Sequence, residues 1–345
     1  MNISFFAPKR FGFTSSIETV QFKDIKDGPS DEHVSLVHDQ MIGYVSKDNL
    51  VFDEKTIYKN KTNNQTVQKQ YIRMIKEYIS AFAVARMTID CYKSACKRLG
   101  NNKMDHIKVN LNTIDHLCAV GSKNAYTIMN SSNEGTISFC KRDNPSTASF
   151  FDVVCHETGH IICSTVNKIS NVKSWVVYTA FHEFFGDMAV YFTSIHLCRI
   201  QGNIDSCIKE IEKSPQLCIA GGLLGKGCMR DPQQKTYSCD EHSNSKNLSR
   251  FMLNLYRNVL NLIVSKENKD KLIVDELLHI YLDALVLLIE KNITFDSLYN
   301  VAKIYISELE KLIAKNKQLV TYVNDVSKIC QQSLKNESTM LNKCK

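Results

Sequence analysis

The segment from Asp152 to Cys163 constrains the fold of this chain most strongly, because it carries His156, Glu157 and His160 within an apolar stretch. Side chains four residues apart lie on one face of a helix, so both histidines can approach one metal ion. Glu157 follows the first histidine, which places its carboxylate beside that ion, where a general base must stand. Gly159 counts against a helix, since glycine costs a helix about 1 kcal/mol relative to alanine. The pattern predicts a helix with a zinc site in which Glu157 activates water.

A second helix with acidic residues would complete such a site. Glu183 follows His160 by 23 positions, which leaves room for a turn and the start of an antiparallel helix. Asp187 lies one turn later, where it can accept a hydrogen bond from the other ring nitrogen of a zinc histidine. Because phenylalanines surround both carboxylates, a cation is their expected partner. We therefore expect His156, His160 and Glu183 as zinc ligands, supported by Asp187.

These two segments resemble the active-site helices of the thermolysin family of zinc endopeptidases. The segments His242-Ser-Asn-Ser245 and Asn124-Ala125-Tyr126 are similar to two further motifs of that family. The resemblance implies that His242 stabilises the oxyanion of the tetrahedral intermediate. It also implies that Asn124 and Ala125 hydrogen-bond the substrate backbone. The residues alone favour a solvated histidine near a helix start for His242, and they leave a turn residue as an alternative for Asn124.

The resemblance is incomplete at several positions. His182 stands where the family usually has an asparagine before its glutamate ligand. Tyr178 is the candidate for the family's tyrosine between the zinc ligands, although its spacing differs. Arg230 adjoins Asp231 directly, so the substrate-binding role that the resemblance implies for this arginine rests on a displaced match. Because no carboxylate occurs over 188–197, we expect no calcium site.

Hydrophobic periodicity divides the chain into a strand-bearing first part and a helical second part. We predict an α+β, two-lobed, thermolysin-like fold with zinc in the cleft between the lobes. The strand-rich N-terminal lobe is expected over 1–147, with only loose strand and loop assignments over 1–65. The helical lobe is expected over 148–315, and 316–345 reads as a polar C-terminal extension. Helices are predicted over 67–99, 148–165, 178–199, 246–265, 271–291 and 295–315.

The predicted activity is that of a zinc-dependent endopeptidase acting on a peptide or protein substrate. One alternative is a zinc-loaded, inactive, protease-like protein that binds peptides, but such a protein does not need the base Glu157. A second is a metal that only braces two helices, but no cysteine or histidine is placed as a fourth ligand. A third is a peptidase that trims single residues, but no charged group that would capture a chain terminus is evident.

The overall composition excludes several other classes. The net charge of +7 is spread along the chain, and no basic block interleaved with aromatic residues is present to bind nucleic acid. No apolar run approaches the roughly 18 residues that cross a bilayer. The first residues lack a secretory signal, so we expect a cytoplasmic protein or one exported by a non-classical route. The oligomeric state is left open.

The 13 cysteines form an odd set, so they cannot all pair with one another. No CxxC pair occurs, which argues against a cysteine zinc ribbon or a thioredoxin-like site. We expect reduced thiols. Disulfides are the alternative for the five cysteines in and beside the glycine-containing stretch 200–240: Cys198, Cys207, Cys218, Cys228 and Cys239.

Overall fold

The computed structural model has an α+β fold: the part of the chain that it describes combines a small mixed sheet of four strands with seven helices, the last six of which follow the sheet. This confirms the predicted fold class at the level of α+β. The residues that the structure describes are 2–5, 18–21, 32–36, 65–115, 125–140, 147–167, 172–200, 202, 238–266, 271–291 and 293–343.

The described strands form two sheets. The first pairs β1 (Asn2–Phe5) with β2 (Glu18–Gln21) in antiparallel fashion. The second has the order β3-β4-β6-β5 and comprises β3 (Val34–Leu36), β4 (Lys108–Asp115), β5 (Ala125–Met129) and β6 (Glu134–Cys140). Its pairings are parallel except for β5, which runs antiparallel to β6. Within the described strands β5 pairs on one side only, so Ala125 begins an edge strand.

All six predicted helices are present, and a seventh follows them. They are α1 (Gln65–Arg98), α2 (Phe151–Val166), α3 (Trp175–Ile200), α4 (Glu241–Lys266), α5 (Lys271–Glu290), α6 (Leu298–Lys315) and α7 (Val323–Leu341). The largest difference from the predicted bounds is that α4 begins five residues early. Its first turn is polar and shows no apolar periodicity, but Asp240 caps it, accepting a hydrogen bond of 2.8 Å from the Ser243 N–H.

Helix α3 is the central helix of the helical region. It packs against α1, α2 and α4, and most of its 26 residues are buried on all sides. A helix that is apolar all round belongs in a core. Any charged side chain on α3 therefore needs a partner within the protein, which applies directly to Glu183 and Asp187.

The C-terminal extension is packed against the rest of the helical region. Helix α7 lies against α4 and α6 and buries Val326, Cys330 and Leu341. Arg250 of α4, almost fully buried, pairs with Glu337 of α7 through Nη2 and Oε2 at 2.5 Å. The extension thus contacts the helix that carries His242. None of the described helices combines the length and apolar character needed to cross a membrane.

The cysteines whose side chains the structure describes fall into two groups. Cys198 and Cys239 are disulfide-bonded, so the expectation of reduced thiols is wrong for these two. Cys198 lies just before the stretch 200–240 and Cys239 lies within it, and both belong to the five cysteines for which disulfides were the alternative. Free, buried thiols are found at Cys91, Cys96, Cys155, Cys163 and Cys330. Burial raises the pKa of Cys91 to about 12, so this thiol stays protonated and acts as a small apolar side chain.

Candidate metal centre

The candidate centre forms where α2 and α3 cross, and two glycines allow their close approach. A Cβ atom built on Gly159 would lie 2.7 Å from Cβ of Ala189 and 3.0 Å from Cα of Gly186. A Cβ atom on Gly186 would lie 2.6 Å from both Cε1 and Nδ1 of His156. The glycine that counted against a helix in the sequence is therefore the residue that lets the two helices touch.

Three side chains meet at this crossing. Nε2 of His156 lies 3.1 Å from Nε2 of His160. Oε2 of Glu183 lies 3.4 Å from Nε2 of His156, and Oε1 lies 3.6 Å from Nε2 of His160. His156 is buried, and His160 and Glu183 are partly exposed. His156, Glu157 and His160 form a group whose donor atoms are close enough to hold a metal ion.

These distances fit a small divalent cation. Nitrogen and oxygen ligands about 2.0–2.1 Å from a tetrahedral zinc ion lie about 3.3–3.4 Å from one another. The donor atoms of His156, His160 and Glu183 are separated by 3.1, 3.4 and 3.6 Å, close to that value. Two imidazoles and one carboxylate, with a further position left for water or substrate, are the donor set of catalytic rather than structural zinc sites.

The carboxylate of Glu157 is held by the sheet. Oγ1 of Thr127, on edge strand β5, donates a hydrogen bond of 2.8 Å to Oε2 of Glu157 and lies 3.1 Å from the Glu157 carbonyl oxygen. Glu157 is buried, with 8% of its surface exposed. A buried carboxylate that accepts a hydrogen bond has a fixed direction, so β5 sets where this group points. Thr127 was not singled out in the sequence.

Asp187 connects the centre to α4. Its Oδ1 lies 3.2 Å from Nδ1 of His156, and its Oδ2 accepts a 3.1 Å hydrogen bond from the Ser249 hydroxyl. Asp187 and Ser249 are both buried. A carboxylate on the second ring nitrogen fixes the tautomer and orientation of a metal-binding histidine. Ser249 in turn holds Asp187 in place through its hydrogen bond. This residue was not predicted from the sequence.

Helix α4 supplies a second contact through His242 in its first turn. Nδ1 of His242 lies 3.1 Å from Oε2 of Glu183, and about half of the His242 side chain is exposed. The start of α4 is fixed by Asp240, because hydrogen bonds from Ser238 and Ser243 lower the pKa of Asp240 to about 2 and keep this cap ionised. His242 and Ser249 are seven residues apart, so both approach the centre from the same side of α4.

Burial and the neighbouring side chains shift the pKa values of Glu183 and His182 at the centre. Burial favours the neutral form of Glu183, but hydrogen bonds from His156 and His242 hold its pKa well below the ordinary range. Burial, reinforced by the charge of His160, lowers the pKa of His182 to about 3. His182 is therefore neutral near pH 7. Its ring stacks on His160, and its Nε2 lies 3.9 Å from Sγ of Cys163.

Two of the remaining predicted site residues, Ala125 and Tyr178, lie next to residues that contact the centre. Ala125 is buried at the start of β5, two residues before Thr127. Tyr178 lies on α3, where its ring packs edge-on against His182 and against Phe295. Asn124 and Arg230 lie outside the described residues.

A comparison with models of known protein families and with curated proteins found no match to this chain. The resemblance to thermolysin-like enzymes therefore rests on the motifs and on the largely buried His156-Glu157-His160 triad of α2.

Proposed function

We propose that this protein is a zinc-dependent endopeptidase. The observation that carries the proposal is the set of donor atoms of His156, His160 and Glu183, spaced 3.1–3.6 Å apart beside the buried carboxylate of Glu157. Glu157 is also within reach of an ion held by the two histidines, and we assign it to the general base rather than to the ligand set. His156, His160 and Glu183 would hold the ion, and Asp187 would orient His156.

Each residue has a distinct task in this proposal. A bound zinc ion supplies Lewis acidity, which activates water and polarises a carbonyl near neutral pH. Glu157, aimed by Thr127, takes the proton of the attacking water and passes it to the leaving amine. His242 donates a hydrogen bond to the developing oxyanion, a contribution that is typically worth about 10²–10³ in turnover. An extended peptide would lie along β5, whose Thr127 contacts Glu157, and add to the sheet as a further strand.

The test compares the native chain with Glu157→Gln on a library of peptides blocked at both ends, with the metal content of both proteins measured. Blocked ends exclude trimming of terminal residues, so any product reports cleavage of an internal bond. Glu310→Gln on α6 is the matched control for the loss of one carboxylate. We expect one zinc ion per chain in all three proteins and cleavage by the native and control proteins only.

Other outcomes point to other functions. If all three proteins hold zinc and none cleaves, a protease-like peptide-binding protein becomes the better explanation. If a metal other than zinc is bound, the ion assignment fails while the site stands. If no variant holds a metal, the proposal is wrong.

We infer an oxidising compartment for the folded chain. Disulfides persist in such compartments and are rare in the cytosol, and both Cys198 and Cys239 are disulfide-bonded. Titration of the denatured, unreduced protein with a thiol reagent should therefore count fewer than the 13 thiols of the reduced chain. A count of 13 in protein purified under thiol-blocking conditions would contradict this inference.

A further inference from the structure

A row of aromatic rings leads away from the metal centre along α3. The row begins at His160, on which His182 stacks with ring centroids 6.1 Å apart. Tyr178 meets His182 edge-on at 4.6 Å, and Trp175 meets Tyr178 edge-on at 5.6 Å. Spacings of three and four residues place Trp175, Tyr178 and His182 on one face of the helix.

The outer end of this row is exposed to solvent. Trp175 exposes 68% of its surface and the adjacent Val176 exposes 41%, whereas Tyr178, His182 and His160 are partly exposed. Large apolar side chains grouped on a surface mark interaction sites more often than isolated ones do. A tryptophan gains more from contact than other side chains, because its ring is large and has few rotatable bonds to immobilise.

We propose that Trp175 and Tyr178 form a subsite for an aromatic or large aliphatic side chain of an extended peptide whose scissile bond lies at the metal centre. This proposal rests on the proposed function and names its substrate class. Its basis is continuity, because the exposed apolar surface and the candidate ligand His160 belong to one unbroken row of rings. The rings of His182 and Tyr178 lie between His160 and Trp175 and contact one another, so they connect the exposed surface to the centre.

The length of the row sets which substrate residue it meets. Trp175 and Glu183 are separated by eight positions on α3, which corresponds to about 12 Å along the helix axis at about 1.5 Å per residue. An extended peptide advances about 3.3 Å per residue. For a peptide that runs parallel to α3, the side chain that contacts Trp175 lies about three to four residues from the scissile bond.

The first test uses blocked peptides that share one cleavage site and carry either phenylalanine or serine at a single position, from the second to the sixth residue on each side of the bond. We expect phenylalanine at the third or fourth residue on one side to raise kcat/KM about 10-fold through KM. In Trp175→Ala the two peptides should be cut equally well. Trp175→Tyr, which keeps an aromatic ring, should restore part of the preference.

The matched control is Leu272→Ala. Leu272, near the start of α5, exposes 71% of its surface. The start of α5 lies beside the C-terminal end of α3, because Asp275 of α5 forms an ion pair with Arg199 of α3. Arg199 and Trp175 are 24 positions apart, or about 36 Å along the helix. The control should keep the native preference for phenylalanine. Equal loss of preference in both variants would overturn the subsite.

The second test uses the fact that Trp175 is the only tryptophan of the chain. Zinc-loaded Glu157→Gln is titrated with the preferred peptide, which itself lacks tryptophan, and binding is followed by calorimetry and by tryptophan emission. We expect a saturable blue shift with the phenylalanine peptide and none with the serine peptide. Peptide binding by calorimetry with unchanged emission would overturn the subsite.

The two proposals fail in different ways. If the native protein cuts peptides without positional preference and Trp175→Ala behaves like native, the endopeptidase stands and the subsite is wrong. If no peptide is cut but the emission of Trp175 responds selectively to the phenylalanine peptide, Trp175 takes part in peptide binding, whereas the endopeptidase and the placement of a scissile bond at the centre are wrong.

Discussion

The hydroxyl of Thr127 lies 2.8 Å from Oε2 of Glu157 and so joins the edge strand β5 to the helix that carries the candidate general base. Strand and helix are 30 residues apart in sequence at this contact, and the distance between them is fixed by packing of the sheet on α2. Misplacement of a catalytic group by about 1 Å can cost about 10²-fold in rate. The contact therefore links the orientation of Glu157 to the strand that would pair with a substrate.

Replacing Thr127 with valine should lower kcat about 10-fold with little change in zinc content, because valine keeps the shape of threonine but cannot donate a hydrogen bond. Thr127→Ser, which keeps the hydroxyl, should retain most of the native kcat. Steady-state kinetics on a quenched fluorescent peptide, with metal analysis of each sample, measures both quantities. A native kcat in Thr127→Val would show that Glu157 is positioned by other contacts.

Gly186→Ala should weaken metal binding. The added methyl group would lie 2.6 Å from two atoms of the His156 ring, and that ring is buried, so it must rotate or the helices must separate. We expect a loss of at least about 10-fold in zinc affinity, comparable to the loss of a residue that orients a ligand. Competition with a chromophoric chelator measures the affinity.

Gly159→Ala is the informative companion to that variant. Its methyl group would press on Cβ of Ala189 and on the backbone of Gly186, neither of which can move aside. The free energy of unfolding of the metal-free protein should fall, although alanine by itself favours a helix by about 1 kcal/mol. An increase in stability would mean that α2 and α3 are less closely packed than described.

Ser249→Ala should lower zinc affinity about 10-fold without unfolding the protein, because it removes the hydrogen bond that holds Asp187 against His156. Ser265→Ala, an exposed serine on the same helix, is the matched control and should bind zinc as the native chain does. Asp187→Asn combined with Ser249→Ala should cost little more than Asp187→Asn alone, since both act through one carboxylate. Additive losses would separate Ser249 from the metal centre.

The site residues that follow from helical spacing could be predicted from the sequence. The residues that reach the site from other elements could not. His156 and His160 share a face because helical spacing requires it, and Glu183 with Asp187 repeats that spacing on the next helix. Thr127 and Ser249 reach the site from β5 and α4. Their positions depend on how the sheet and α4 pack onto α2 and α3, and no local pattern encodes that packing.

Two sequence interpretations changed for physical reasons. Gly159 counted against a helix because propensity considers one helix alone, whereas its role is to admit a neighbouring helix. The start of α4 was placed five residues too late, since a polar first turn held by the Asp240 cap has no apolar period. That early start matters because it brings His242 onto α4.

The stability of the chain should fall as the pH drops from about 6.5 to 4, in part through His196. Burial, together with the charges of Arg199 and Arg98, lowers the pKa of this histidine from 6.5 to about 4. Within that window the unfolded chain binds the proton and the folded chain does not, so the free energy of unfolding rises with pH. Full stabilisation is present above about pH 6.5 and is lost by about pH 4.

His196→Gln removes this titration and should reduce the loss of stability between pH 7 and pH 5 by roughly 1–2 kcal/mol. His279, whose pKa is lowered to about 4 by burial and by the same two arginines, would account for a further part of the loss. His106→Gln, at an exposed histidine, is the control and should lose as much stability as the native chain. Urea unfolding of metal-free protein at the two pH values gives the comparison. Equal losses in native and His196→Gln proteins would show that His196 accepts its proton without unfolding the helices around it.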